Sequence, residues 1–524
     1  MQIAKTAVIV SALLAFSATA GAQRRDENWS RCKDDRSDPD LGIGACTAII
    51  QSGRETNTNL AYAFNNRGNA YLKKGLYDSA IQDFDQAIGL KPDFAGAFYD
   101  RGLVYSYKGQ YDRAIQDYDQ AIRLKPHDAD AFDNRGIAYG SKGQYDRAIQ
   151  DFDQAIQLRP HDPDAFYNRG RAHSDTGQYD RAIRDYDQAI RLEPDDADAF
   201  IRRGLAYSNK GQYDRAIQDY DQAVRLKPYY AEAFFNRGNA YLKEGQYDRA
   251  IQDYDRAIRL KWDYGEAFNN RGEAYDNEGE YDRAIEDSDE AIRLEPNFAY
   301  AFNNRGLAYG HEGQYDRAIQ DFDQAIRLEP DDADAFNNRG NTYLKGGQYD
   351  RAIQDFDEVI RLKPDFPHAF GTRGRAKFYL ARFLDAAADF QSYLNLNPSD
   401  AYPALWLHLA KKRAGQDDTQ DSHQQAAQID SSKWPAPVVN LFLGRLTPEQ
   451  TLAAAGSPDS IKGKGQHCEA EFFIGEYLLL RQEVPNALAH FRAARETCPY
   501  DFVEYAGAAA EMTRLGAGAE SGNK

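Results

Sequence analysis

Cysteine occurs only four times and methionine twice in 524 residues, and no cysteine lies between Cys46 and Cys468. No C-x-x-C spacing or accompanying histidine pair is present, which makes metal binding by the cysteines the weaker reading. No run of lysine and arginine appears, and the formal net charge is -18, which argues against phosphate recognition and so against a nucleic-acid binder. After the N-terminus no apolar stretch is long enough to cross a bilayer. Nucleophile elbows, phosphate-binding loops and zinc motifs are also missing, and the nine histidines are scattered. His127 and His161, each beside an aspartate, offer at most a surface contact for a metal. The expectation is a chain that is not an enzyme and needs no cofactor and no metal.

With 28% charged residues and a mean hydropathy of -0.75, the chain is too polar for several ordinary cores and too long for one. Repetition reconciles the two. "GQYDRAIQDYDQAIRLKP" at 109–126 returns almost unchanged at 211–228. Small units that bury their apolar faces only against their neighbours can extend without a central core.

The N-terminus reads as an export signal. Lys5 precedes an apolar run from Ala7 to Phe16, and small residues follow at Ala18, Ala20 and Ala22. No cysteine follows either candidate cut, so a lipid anchor is not expected. Residues 1–22 are expected to be removed, leaving an exported, periplasmic or secreted protein. Disulfides fit that compartment, and local bridges between Cys32 and Cys46 and between Cys468 and Cys498 are the simplest pairing.

Arg-Gly recurs every 34 residues from Arg67 to Arg373, defining ten units over residues 61–400. Each unit holds two apolar patterns at helical spacing, here Phe98, Gly102 and Tyr105, then Ala114, Tyr118, Ala121 and Ile122. Glycine at the middle (Gly75, Gly109, Gly143 and on to Gly347) suits a left-handed helix end, and Pro92, Pro126 and Pro160 stop the second helix. Aspartates after these prolines can cap the next unit. The pattern predicts helix, turn, helix, turn throughout.

Phe98, Gly102, Tyr105, Ala114, Tyr118, Ala121 and Pro126 stand at unit positions 4, 8, 11, 20, 24, 27 and 32. This pattern resembles that of the tetratricopeptide repeats over about two thirds of the chain. The resemblance implies an all-α solenoid, a right-handed superhelix whose first helices line a concave groove for a protein or peptide partner. Phe98 and Tyr105 are expected to fill the space beside Gly102. Arg101 and Asp117, with their counterparts at positions 7 and 23 of all ten units, either pair across the two helices or stand in solvent.

Groove contacts in the family come from first-helix positions 2, 5, 6, 9, 12 and 13. Position 6 is asparagine in seven units: Asn66, Asn134, Asn168, Asn236, Asn270, Asn304 and Asn338. An amide can donate and accept together, so a row of them can hold a peptide backbone of any sequence. The row is similar to the asparagine ladder of the enzymes that attach N-acetylglucosamine to proteins, although duplication of a helix-tolerated residue would also produce it. Units one, six and nine share a further set: Asn69, Leu72 and Lys73; Asn239, Leu242 and Lys243; Asn341, Leu344 and Lys345. Position 2 is acidic at Asp130, Asp164, Asp198, Glu232, Glu266 and Asp334, which favours partners with basic segments. The family's carboxylate clamp is disfavoured, because Asn65, Tyr99 and Asp133 occupy the corresponding positions.

His173, Trp262, Ser288 and Lys377 depart from the pattern. Ser288 is expected to leave a void that Trp262 fills by packing, or that forms a small pocket or hinge. Residues 23–60 read as an N-terminal cap carrying one unpaired helix. Residues 401–467 read as a further helix, a Gln, Asp and Ser-rich linker over 414–433, and the opening of a C-terminal module. Residues 468–501 fit the repeat again through Gly475, Ala487, Phe491, Ala494 and Pro499, with Cys468 starting one helix and Cys498 ending its partner. A helix over 502–515 is expected to close the stack before an unstructured tail. This C-terminal part is loosely similar to periplasmic repeat lipoproteins that act as adaptors for peptidoglycan-trimming enzymes, which leaves an envelope adaptor working through folded surfaces as the second reading.

Overall fold

The structure, a computed structural model, describes residues 23, 25–34, 38–416, 433–456, 460–498 and 502–516. The predicted export signal, most of the predicted polar linker and the final tail lie outside the described residues. The described part is helical, with no strand.

Unit two shows how the sequence builds each repeat. Its first helix spans Ala95–Tyr107 and its second Tyr111–Leu124. The second helix buries Ala114, Asp117, Tyr118 and Ala121, which share one face at intervals of three and four. Between the helices Gly109 sits at φ 69°, where a Cβ would be strained, and the Gln110 amide donates back to the Tyr105 carbonyl at 2.8 Å. The tenth unit puts Ala381 in the same left-handed turn at φ 60°. Capping is uneven: Asp162, Asp196, Asp332 and Asp400 each accept from the backbone two residues on, whereas Asp128 makes no cap bond and instead pairs with Lys125 at 2.9 Å.

The glycine before each turn answers to the second helix and not to Phe98 and Tyr105. A Cβ on Gly102 would meet the Tyr118 ring at 2.8 Å, and Gly68, Gly136, Gly204 and Gly306 face Phe84, Phe152, Tyr220 and Phe322 in the same way. Phe98 and Tyr105 are half-buried and flank the Arg101 guanidinium, at 5.6 and 6.0 Å from their ring centres.

The chain divides into two compact bodies, residues 1–246 and 247–524, each considered by itself. In the first body the first helices of successive units touch each other as well as their own second helices, while the second helices do not approach one another as closely. The face lined by first helices is therefore the tighter side of the stack. The N-terminal cap holds two helices, residues 25–33 and Pro39–Gln51, so the predicted lone helix has a companion. Cys32 is bonded to Cys46 between them.

In the second body Ala401–Arg413 continues the stack, and Trp406 contacts Phe378, Phe390, Phe472 and Phe473. Helices Ile461–Leu480 and Val484–Thr497 form a repeat-like pair, with Gly475 against Phe491 and Cys468 bonded to Cys498. Cys468 stands seven residues inside its helix, because Ser460 caps that helix earlier than the repeat register implies. The closing helix, Val503–Arg514, lies against the first helices of units nine and ten. Tyr379 donates to the Val503 carbonyl at 2.7 Å, and Arg514 donates to the Tyr379 carbonyl at 3.0 Å.

The predicted Trp262 and Ser288 compensation does not occur. Trp262 is 72% exposed, whereas Ser288 is fully buried and turns its hydroxyl back to the Ala284 carbonyl at 2.9 Å. In the same unit Arg283 closes to 3.9 Å over the Tyr275 ring, against 5.6 Å for Arg113 over Tyr105.

Candidate functional site: the face of the first helices

The position-7 arginines are structural and paired. Arg101 grips Asp117 through Nε at 2.8 Å and Nη2 at 2.6 Å, and its Nη1 reaches Asp85 of the preceding unit at 2.5 Å. Arg135, Arg169 and Arg203 repeat this in the first body, and Arg271, Arg305, Arg339 and Arg373 in the second. At the N-terminal end no earlier unit exists, and Thr47 of the cap takes the place of that aspartate. In the tenth unit Lys377 replaces tyrosine and joins Arg373 on Asp389, at 2.7 Å. His173 makes the opposite change: it is buried, 3.7 Å from Asp185, and burial pushes it towards the neutral form.

The position-6 asparagines form a row between units. Asn134 donates to the Tyr99 hydroxyl at 3.0 Å and Asn168 to both oxygens of Asp133 at 3.2 Å. In the second body Asn304 donates to Asn269 at 3.1 Å and Asn338 to Asn303 at 3.0 Å. Asn270 accepts from Asn269, Asn66 lies 3.9 Å from the Cys32 sulfur, and Asn236 is buried. Four of the seven amides expected to meet a partner's backbone thus donate to the preceding unit. This use was not legible in the repeat pattern, because the acceptor sits 35 residues away at position 5.

The shared Asn, Leu and Lys sets fall in different surroundings. Asn66, Asn69 and Lys73 line a cleft of about 270 Å³ with Asp100 and the cap residues Cys32 and Lys33. Asn338, Asn341 and Lys345 line another, of about 250 Å³, bounded by Val503 and Ala506 of the closing helix. Lys243 is exposed and Asn239 half-buried.

Charge on this face is also rearranged. Lys227 neutralises Asp198 at 2.7 Å, Lys363 neutralises Asp334 at 2.8 Å, and Arg159 pairs with Asp130. Glu232 lies beside Arg202. Asp164 and Glu266 have no basic partner among the described residues. Two carboxylates are left instead: Asp133, named in the sequence only as a departure from the carboxylate clamp, and Asp100, not named at all. Asp100 accepts from Asn65 and Asn69, both at 2.9 Å, and burial raises its pKa. Asp133 is pushed up to about 6 by burial, with Asp162, Asp164 and Asp130 adding to the shift against the opposing Asn168 bonds. Neither forms an ion pair with a described residue, although Lys33 and Lys73 line the same cleft as Asp100. Their signal in the sequence was a departure: Asp100 stands where seven units carry asparagine.

Profiles of the tetratricopeptide repeat match residues 61–94 and, in overlapping stretches, 99–367, more than half of the chain. The chain belongs to the tetratricopeptide-repeat family. Among solved structures, one of MamA is 32% identical over 31% of this chain and 94% of its own, with a TM-score of 0.29. One of YrrB, titled a TPR protein with an unusual peptide-binding site, is 26% identical over 35% of this chain and 95% of its own, with a TM-score of 0.32. A tetratricopeptide repeat protein from Parabacteroides merdae is 19% identical over 47% of this chain and 97% of its own, with a TM-score of 0.40. The fold is an all-α tetratricopeptide solenoid, and such repeats serve as scaffolds for protein–protein interaction. Among the described residues no helix could span a membrane, and no three or more of His, Cys, Asp and Glu gather to hold a metal ion.

Proposed function

We propose that the protein is a non-catalytic scaffold whose first-helix face, in the first body, holds an extended basic segment of another protein outside the cytoplasm. The observation that carries this is the contrast between two sets of carboxylates. Asp117, Asp151, Asp185 and Asp219 are each gripped by an arginine, whereas Asp100 and Asp133 are half-buried and receive only amide hydrogens. A buried anion without a counter-ion is costly, and a lysine or arginine from a partner would relieve that cost. The export-signal pattern of residues 1–22 and the two cystine bridges support placement in an oxidising compartment.

Titration of the whole protein with an extended Arg- and Lys-bearing peptide tests this. Asp100→Asn with Asp133→Asn should weaken binding about tenfold or more, and wild-type binding should fall as salt rises. Unchanged affinity in the double variant sinks the proposal. Fractionation with thiol titration tests the compartment, where four free thiols would count against it.

The C-terminal module favours a second reading, an envelope adaptor that recruits an enzyme by folded surfaces. There the closing helix covers part of the first-helix face. Capture of folded partners with no capture on peptide arrays would favour that reading over the first.

A further inference from the structure

The cleft of about 250 Å³ in the second body differs in charge from most of this chain. Leu307, Leu344, Val503 and Ala506 form apolar walls, and Asn341 and Lys345 stand one turn apart on a single helix. No aspartate or glutamate is among its described lining residues, although Asp and Glu number 82 in the sequence. His311 at its edge is engaged by Asp276 at 2.9 Å. Asn341 and Lys345, by contrast, make no hydrogen bond or ion pair with any described residue.

Unit one shows why this matters. It carries the same Asn, Leu and Lys set, but there Asn69 donates to Asp100 at 2.9 Å. The counterpart of Asp100 beside unit nine is Thr372, whose hydroxyl turns back to the His368 carbonyl at 2.8 Å. One set is thus internally engaged and the other is open. The open one also has a wall from outside the repeats, the closing helix. Its volume is below the roughly 300–1,000 Å³ of small-molecule pockets and suits one side chain with its neighbouring groups.

We propose that this cleft binds an apolar residue followed by an acidic one within a partner's chain. The apolar side chain lies against Leu344 and Val503, the Asn341 amide donates to and accepts from the peptide backbone, and Lys345 meets the carboxylate. The inference shares with the proposed function only that the occupant is a protein segment; body, site and charge differ.

The test uses the intact protein and a fluorescein-labelled, amidated octapeptide, Gly-Ser-Gly-Leu-Glu-Gly-Ser-Gly, followed by anisotropy. Saturable binding is expected, weakened about two- to fivefold by Gln in place of Glu, and more by Gly in place of Leu. Lys345→Met should erase the preference for Glu over Gln, and Lys345→Glu should transfer it to a Lys-bearing probe, with unchanged melting confirming the fold. Asp100→Asn with Asp133→Asn should leave this binding intact, so its failure is separate from that of the basic-segment site. No saturable binding by any probe, equal binding of Glu and Gln probes, or a preference that survives Lys345→Met overturns the proposal. Tighter binding of a peptide ending in Leu with a free carboxylate would assign the cleft to chain ends and overturn it as well.

Discussion

The Cβ that Gly102 lacks would lie 2.8 Å from Cε1 of Tyr118, closer than carbon atoms can approach. The pair joins the two helices of one unit, and the ring is fully buried. The same relation recurs at Gly475 and Phe491, outside the regular array, which marks residues 461–497 as a repeat built on the same contact.

Gly102→Ala should therefore cost about 1–3 kcal/mol, because the added methyl must push the ring or the helix aside. Gly272→Ala is the internal control. Ser288 replaces the ring there, the nearest atom is the Ala284 carbonyl oxygen at 3.1 Å, and the cost should be smaller. Hydrogen exchange localised to units two and seven would compare them, and equal losses would contradict the ring as the cause.

Ala381→Gly should stabilise the tenth unit by about 1 kcal/mol. Ala381 holds φ 60° in a turn where nine other units have glycine, and its methyl is exposed, so the change removes strain with no lost packing. Thermal melting would show it as a small upward shift.

Arg203→Leu should cost about 3–5 kcal/mol, since it leaves Asp219 buried without its bidentate partner. Arg203→Leu with Asp219→Leu should recover much of that loss. A double variant no better than the single one in urea unfolding would mean that the pair contributes through geometry and not through charge compensation.

Asp133 couples the candidate site to pH. Its folded pKa near 6 exceeds that of an unfolded aspartate, so its contribution favours folding below about pH 4 and is lost as pH rises through 6. Asp133→Asn should stabilise the first body by about 1–3 kcal/mol at pH 7.5 and have little effect at pH 4. A bound cation would favour the ionised form, so affinity for a basic peptide should rise between pH 5 and 7. Flat affinity across that range would separate Asp133 from binding.

The repeat length and the alternation of helix and turn were legible in the sequence, whereas the ring that covers Gly102 was misassigned to Phe98 and Tyr105 in place of Tyr118. Gly102 and Tyr118 lie sixteen residues apart within one unit, and nine of the ten units keep an aromatic at that spacing. The asparagine row was legible as a row, but its use was not. Whether Asn168 faces a partner or Asp133 depends on how one unit rests on the last, which no single copy records. Ser288 and Trp262 were visible as exceptions, yet their 26-residue separation gave no measure of whether they touch.

By itself, the sequence determined what a 34-residue period can encode: two helices per unit, a left-handed turn between them, and a buried aromatic over glycine. These depend on local backbone preference and on contacts that repeat with the chain. Tertiary structure alone decided which polar groups are consumed between units and which remain open, as with Asn69 on Asp100 against Asn341, which has no partner among the described residues. It also decided that Val503 would meet Tyr379 across 124 residues. Such contacts have no period. They arise from the complementarity of two surfaces that exist only after the units have stacked.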